Sequence, residues 1–303
     1  YYWLGQAYKA QGKIELGNKA FAAGSQFSTS FYGILSAEEI GIQDSNLFHF
    51  VGKLPNWRGA EFRDNSVFEA AKLLFAAEEG DLAERFLTHL AETLAKDEVL
   101  KMTHFLEEVK KPHILVMLGK RKASQGISFP RSYFALHPMA NGSYPIPPHL
   151  ALSIARRESE FDPKVISPVG ARGIMQLMPR TAREMAGKLG LIYDENRLVV
   201  DWKYNTLLGA AYLEELSARF SHNPVLVLIG YNAGPSRVEN WIGLLGDPRK
   251  KETDIIDWIE MIPFDETRNY VMRVSESLPI YRKRLGLVPF PKPFSEMLQG
   301  SGF

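Results

Sequence analysis

The first 128 or so residues read as consecutive helices, because apolar positions recur there at helical spacing. Ala70, Leu73, Leu74 and Ala77 make one such set. Gly80-Asp81 interrupts it, and Leu82, Phe86 and Leu90 begin the next. The opening segment carries Tyr1-x-x-Leu4-Gly5-x-x-Tyr8, then Gly17 and Phe21. That pattern is similar to a degenerate tetratricopeptide repeat, in which small residues let two antiparallel helices pack closely; an ordinary helical hairpin fits it as well. Between Gly126 and Pro148 the periodicity stops. Phe129-Pro130, His137-Pro138, Asn141-Gly142 and Pro145-Ile146-Pro147-Pro148 break any helix there. A second helical region follows, its last helix expected from about Thr267 to Arg284. The tail with Pro289, Pro291 and Pro293 reads as an extended strap. The expected division is a helical-repeat scaffold over 1–128, a second domain over 129–288 and a proline-rich tail over 289–303.

Within the second region a helix should start near Pro148, since proline is favoured in the first turn. At about 100° per residue, Leu150, Ile154 and Phe161 share one stripe, flanked by Ala151 and Ala155. Glu158 projects into that apolar arc, while Arg156 and Glu160 are expected on the opposite side. A carboxyl group there is costly unless paired or protonated, and desolvation raises its pKa toward the range of a general acid. The plainer alternative is a Glu paired within the fold to Arg157 or Arg172. Ser167 to Pro179 has neither helical nor strand period. Gly170 and Gly173 permit a tight irregular backbone, and Gln176 sits between Met175, Leu177 and Met178. A polar amide among apolar neighbours is the pattern of a ligand groove. Asn223-Pro224 starts a further helix whose end, before Gly234-Pro235, holds Tyr231 and Asn232. Tyr231 is either core or a groove hydroxyl, and Asn232 either a cap or a groove amide. Glu266-Thr267-Arg268 opens the last helix, where an acidic residue also suits the helix dipole, and Arg268 is a candidate partner for Glu266.

Composition narrows the classes without deciding among them. With 36 Lys plus Arg against 35 Asp plus Glu, the 303-residue chain carries a net charge of +1, which argues against broad electrostatic binding of nucleic acid. There are no cysteines, which removes disulfides, thiol catalysis and cysteine-ligated zinc. The isolated histidines (His49, His89, His104, His113) suggest no metal site. No stretch has the length of a transmembrane helix and no signal peptide is present. The chain begins at Tyr1 inside a helical pattern, which reads as a processed or trimmed fragment.

Glu158-Ser159-x-Phe161-x-Pro163, then Ser167-Pro-x-Gly-Ala-x-Gly-x-Met-Gln-Leu-Met-Pro179 with Thr181-Ala182, closely resembles the soluble lytic transglycosylases. The resemblance continues through Gly209-x-x-Tyr212-Leu213, Tyr231-Asn232-Ala233-Gly234-Pro235-Ser236-Arg237-Val238 and Ile262-Pro263-Phe264-x-Glu266-Thr267-Arg268-x-Tyr270-Val271. These blocks cover most of residues 145–285 in the family's order and spacing. Asp162 and Ile174 stand where many members have Asn and Leu, and Arg172 occupies a variable position.

The resemblance implies a mainly α chain: an N-terminal helical-repeat, superhelical region followed by a goose-lysozyme-like α+β catalytic domain with very little strand. It implies cleavage of the bond between N-acetylmuramic acid and N-acetylglucosamine in peptidoglycan, leaving 1,6-anhydromuramic acid ends. Glu158 would be the catalytic acid and base. Ser167, Gly173, Met175, Gln176, Met178, Tyr231, Asn232 and Glu266 would contact the glycan. No cofactor or metal is implied. The implied partners are glycan strands, muropeptides and proteins of cell-wall synthesis or remodelling, in the bacterial periplasm. Two rival readings remain: a muramidase with Glu266 or Asp162 positioning water, and a non-catalytic glycan-binding scaffold.

Overall fold

The computed structural model describes residues 1–42, 47, 48, 50 and 52–300. The chain opens with α1 (Tyr2–Ala10), α2 (Ile14–Ser25) and α3 (Phe31–Glu39). Then come α4 (Ser66–Ala76), α5 (Gly80–Thr93), α6 (Lys96–Glu108), α7 (Pro112–Ser124) and the short α8 (Pro130–Tyr133). The remainder comprises α9 (Pro148–Ser159), α10 (Pro179–Lys188), α11 (Arg197–Val200), α12 (Trp202–Arg219), α13 (Pro224–Ala233), α14 (Pro235–Leu245), α15 (Ile255–Glu260), α16 (Asp265–Arg284) and α17 (Phe294–Gln299). Among the described residues extended pairing is limited to two isolated antiparallel bridges, Ile166 with Arg172 and Arg172 with Leu177. The mainly helical class with almost no strand is therefore the observed one. Among the described residues no helix is long and apolar enough to cross a membrane.

Two compact units emerge, and they cut the chain differently from the contiguous division expected at 128/129. Residues 49–137 form one unit, and residues 1–48 join 138–303 in the other. In the smaller unit the apolar faces are rotated from those that spacing alone suggested. Leu73 is 72% exposed, and Leu82 and Phe86 are exposed as well. The helices pack instead through Phe68 and Ala71 of α4 and through Ala83, Leu87 and Ala91 of α5. Alanines let helix axes approach closely, so they carry the contact while larger neighbours face outward. His104 bonds Pro55 O at 2.8 Å and His113 bonds Glu84 at 2.9 Å, whereas His49 lies outside the described residues.

In the larger unit, α1 and α2 form a close hairpin. A methyl group on Gly5 would come within 2.3 Å of the Phe21 ring, and one on Gly17 within 3.2 Å of Gly5 O. The small-residue pattern thus marks a real close approach. What the sequence hid is the attachment of this hairpin to the C-terminal region. The Phe31 backbone N–H, at the start of α3, donates to Glu276 Oε2 of α16 at 2.7 Å. Tyr32 bonds Glu260 of α15. Glu38 accepts from the Ser295 N–H at 3.1 Å. The proline-rich tail is correspondingly no plain extended strap. It folds into α17, with Phe294 and Leu298 fully buried and Phe294 edge-on to Phe31 at 5.7 Å between ring centres. Residues 301–303 of the tail lie outside the described residues.

Candidate active site

Pro148 occupies the first turn of α9, as its fixed φ allows, and Leu150, Ala151, Ile154 and Ala155 are fully buried. Burial extends around most of this helix because α16 packs along it. Arg156, expected to face outward, is therefore inward. It is 9% exposed, and its charge acts on the buried Glu276 and Tyr281. The helix ends abruptly: Glu160 and Phe161 adopt φ of 54° and 68°, and Phe161 is buried. Two successive side-chain-bearing residues in the left-handed region are costly, and such strain clusters at functional sites.

Glu158 lies in the last turn of α9 and is partly buried. Tyr270 of α16 donates its hydroxyl to Glu158 Oε1 at 2.7 Å. Burial pushes the Glu158 carboxyl up to about 7. The Tyr270 bond and the Arg157 charge pull it down, and the Glu266 charge pushes it further up. Among the described residues no Lys, Arg or His makes an ion pair with Glu158; Arg172 pairs with Glu195 at 2.8 Å instead. The internal Arg pairing weighed from the sequence is thus not what holds this carboxyl.

The irregular segment after α9 is built by a few side chains that the sequence did not single out. Ser159 donates to Ile174 O at 2.8 Å and to Ala155 O at 3.1 Å, fastening the end of α9 to the segment. Asn205, fully buried on α12, accepts from the Met175 N–H and donates to Arg172 O and Leu198 O. Gly173 has φ of 76°, and a Cβ there would lie 1.9 Å from Leu198 O, so only glycine fits. The Met175 side chain is fully buried and packs on Gly209, where a methyl group would stand 3.0 Å from it. Gly173 and the buried Met175 side chain, both expected at the glycan, thus help to fix the backbone of this segment.

Ser167 and Gln176 both make hydrogen bonds to backbone of their own segment. Ser167 Oγ accepts from the Ala171 N–H at 3.0 Å, a bond within its own loop, and it is not among the groups bonded to Glu158. Gln176, at φ of 49°, donates through Nε2 to Val165 O and Gly173 O at 3.0 and 2.9 Å. A short polar side chain in a turn finds nearby backbone first. Gln176 nevertheless lines a recess of about 260 Å³ together with Met178, Thr181, Tyr212, Tyr231 and Asn232. Tyr231 donates to Met175 O at 2.8 Å, not to Glu158. Burial first, and the nearby Glu158 charge second, hold the Tyr231 hydroxyl well above its ordinary pKa. Asn232 accepts from Thr267 Oγ1 at 2.7 Å, tying α13 to the start of α16. Asn232 and Ala233 continue into a second recess of about 570 Å³, walled by Arg237, Phe264, Asp265, Glu266 and Thr267. Glu266 is exposed, and Arg268 pairs with Asp265 and Glu260, not with it.

The residue missed from the sequence is Tyr270. It stands in the last of the resembling blocks, but an aromatic on a helix reads as packing, and only the fold shows its hydroxyl on Glu158. The arrangement offers one desolvated carboxyl raised toward neutral pH and one neutral donor on it.

Known proteins share both sequence and fold with this chain. Residues 136–253 match the family model described as the transglycosylase SLT domain. The chain is 36% identical over 162 residues to the soluble lytic murein transglycosylase of Escherichia coli K12, covering 53% of this chain and 24% of that protein. It is 37% identical over 124 residues to a putative soluble lytic murein transglycosylase of Haemophilus influenzae, covering 41% and 20%. Among solved structures, the 70 kDa soluble lytic transglycosylase of E. coli superposes with a TM-score of 0.80 at 25% identity, over 95% of this chain and 46% of that one. An inactive mutant of the lytic transglycosylase Slt from Pseudomonas aeruginosa gives 0.72 at 26% identity, over 100% and 48%. The chain thus spans about a quarter of the length of these curated relatives and under half of the solved chains. Motif order, related sequences and shared architecture converge on the same region: residues 136–253 match the transglycosylase SLT domain, and the chain is similar to the soluble lytic transglycosylases.

Proposed function

We propose that this chain cleaves peptidoglycan glycan strands without water, as a periplasmic lytic transglycosylase with Glu158 as its acid and then its base. The observation that carries the reading is the state of Glu158. It is a carboxyl with no ion-pair partner among the described residues, raised by burial to about 7 and held by the neutral Tyr270 hydroxyl. A group poised there gives and takes a proton with little penalty in either direction. Protonated Glu158 donates to the glycosidic oxygen between N-acetylmuramic acid and N-acetylglucosamine, and the C–O bond to the anomeric carbon breaks. The substrate's own N-acetyl group stabilises the electron-deficient carbon. The Glu158 carboxylate then removes the proton of the muramoyl 6-hydroxyl, whose oxygen closes on the anomeric carbon to give the 1,6-anhydro end. Glu158 is left protonated for the next cycle, and no external acid or base is consumed.

Glycoside hydrolysis generally needs a second carboxylate to activate water. Glu266, one of the two carboxylates weighed for that role, stands exposed on the wall of the larger recess. The test is digestion of purified peptidoglycan followed by mass spectrometry. Anhydro ends, one water lighter than reducing ends, are expected from the wild-type chain and should vanish in Glu158→Gln. Reducing ends alone would identify a hydrolase, and intact strands would identify a binding scaffold.

A further inference from the structure

Both peptide units that meet at Met175 are held at oxygen and at nitrogen. The Met175 N–H donates to Asn205 Oδ1 at 2.9 Å, and the Met175 carbonyl accepts from the Tyr231 hydroxyl at 2.8 Å. On either side, Ile174 O accepts from Ser159, the residue after Glu158, at 2.8 Å, and the Gln176 N–H donates to Gly173 O at 2.9 Å. Side chains from α9 (Ser159), α12 (Asn205) and α13 (Tyr231) thus converge on one short piece of backbone. Asn205 is fully buried, and its amide nitrogen also donates to Arg172 O at 2.9 Å and to Leu198 O at 3.0 Å. Its carbonyl and both of its N–H groups are in use, so it cannot shift without leaving a buried group unpaired.

The consequence for the acid lies at Tyr231. The Glu158 charge acts on the Tyr231 hydroxyl, so the two groups are close. A buried hydroxyl that lost its acceptor would turn to another, and a carboxylate is the stronger acceptor. Glu158 receives Tyr270 on Oε1, and among the described residues nothing donates to its Oε2. We infer that Asn205 is a positioning residue for Glu158: by pinning Met175 it keeps the Met175 carbonyl on the Tyr231 hydroxyl, and so keeps a second donor off the acid. A second donor would favour the carboxylate and deplete the protonated form from which the proposed reaction starts, and the inference rests on that reaction. The other groups whose charge reaches Glu158 are Arg157 on its own helix and Glu266 on α16, and neither is a partner of Asn205.

The test follows the Glu158 carboxyl by infrared difference titration, with Glu158→Gln as the blank and the folded fraction measured by circular dichroism. A hydrogen bond to a charged group corresponds to about one to two pH units. In Asn205→Ala the midpoint should fall by about one unit, whereas loss of the Tyr270 donor would raise it. The basic limb of kcat/KM should move down with it, lowering kcat/KM at neutral pH roughly fivefold per folded molecule. Tyr231→Phe leaves no hydroxyl to turn, so the shift should vanish when Asn205→Ala is combined with it. Asn205→Ser, which leaves a smaller cavity, should behave as Asn205→Ala and replaces it if that variant does not fold. In the wild type the Met175 amide should exchange with deuterium only through global unfolding; exchange at the rate of an open loop overturns the pinning without any variant. A folded Asn205 variant with the wild-type midpoint, or a shift that persists in the Tyr231→Phe background, overturns it as well. If the wild type leaves no anhydro ends yet the midpoint moves in a Tyr231-dependent way, the reaction fails and the positioning role stands. Anhydro ends together with an unmoved midpoint give the reverse.

Discussion

Tyr270 places its hydroxyl on Glu158 Oε1 at 2.7 Å, joining the last turn of α9 to α16 across 112 positions of sequence. The bond has a direction of effect. It stabilises the carboxylate, whereas burial stabilises the acid, and the two set the pKa of about 7. Tyr270 is itself buried and held well above its ordinary pKa, so it remains a donor throughout the working range.

Tyr270→Phe should therefore raise the Glu158 pKa. A hydrogen bond to a charged group contributes about 1.5–3 kcal/mol, which corresponds to about one to two pH units. In the proposed reaction the free enzyme must hold Glu158 protonated, so kcat/KM falls as pH rises through this pKa. The basic limb of the pH profile should shift upward in Tyr270→Phe, with activity at neutral pH reduced roughly tenfold by loss of the carboxyl's orientation. A basic limb that stays put or moves down would remove Tyr270 from the mechanism.

Glu158→Gln should stabilise the fold at alkaline pH. The folded pKa of about 7 lies above the ordinary value of 4.5. The folded state thus binds the proton more tightly than the unfolded state. Its favourable contribution is complete below about 4.5 and is lost as pH rises through about 7. The neutral amide escapes that loss. The advantage of the variant should be absent near pH 4, grow between pH 4.5 and 7, and level off near 3 kcal/mol at most. Thermal unfolding across that range measures it. A constant offset at all pH values would mean that Glu158 titrates near its ordinary pKa.

The candidate site was partly legible in the chain because two of its features are local. Glu158 could be placed on an apolar face by counting along one helix. The stretch from Ser167 to Pro179 announced itself by having no period at all. Contacts between distant elements left no such trace. Tyr270 looks like any helical aromatic until α16 is laid against α9. Arg156 was placed outward because a charge is assigned to solvent unless a partner is visible, and its partners lie on α16. Ser167 and Gln176 were polar among apolar neighbours, as ligand-binding groups are. The same pattern arises when a side chain ties its own loop, and sequence does not separate the two. The union of residues 1–48 with 138–303 was hidden for the same reason, since its bonds span more than two hundred positions.

That union predicts the behaviour of a truncated chain. Glu276 of α16 is 5% exposed. It accepts from the Phe31 N–H at 2.7 Å through Oε2 and from Arg273 at 3.1 Å through Oε1. It therefore caps the start of α3 from another helix, the one that also carries Tyr270. Burial raises its pKa, opposed chiefly by Arg273. Glu276→Ala would leave a buried backbone N–H without an acceptor, a loss of about 1–3 kcal/mol, whereas Glu276→Gln keeps an acceptor and should cost less. Removing residues 1–48 strips the cap and also uncovers Phe294 of α17, which Phe31 covers edge-on. A fragment beginning near Pro138 should therefore melt well below the full chain, even though every motif block lies within it. Its residual activity should fall with its folded fraction, because α16 holds both Tyr270 and Glu266. Equal melting temperatures for the fragment and the full chain, or for Glu276→Ala and wild type, would show that α1 to α3 are carried by the C-terminal region without supporting it.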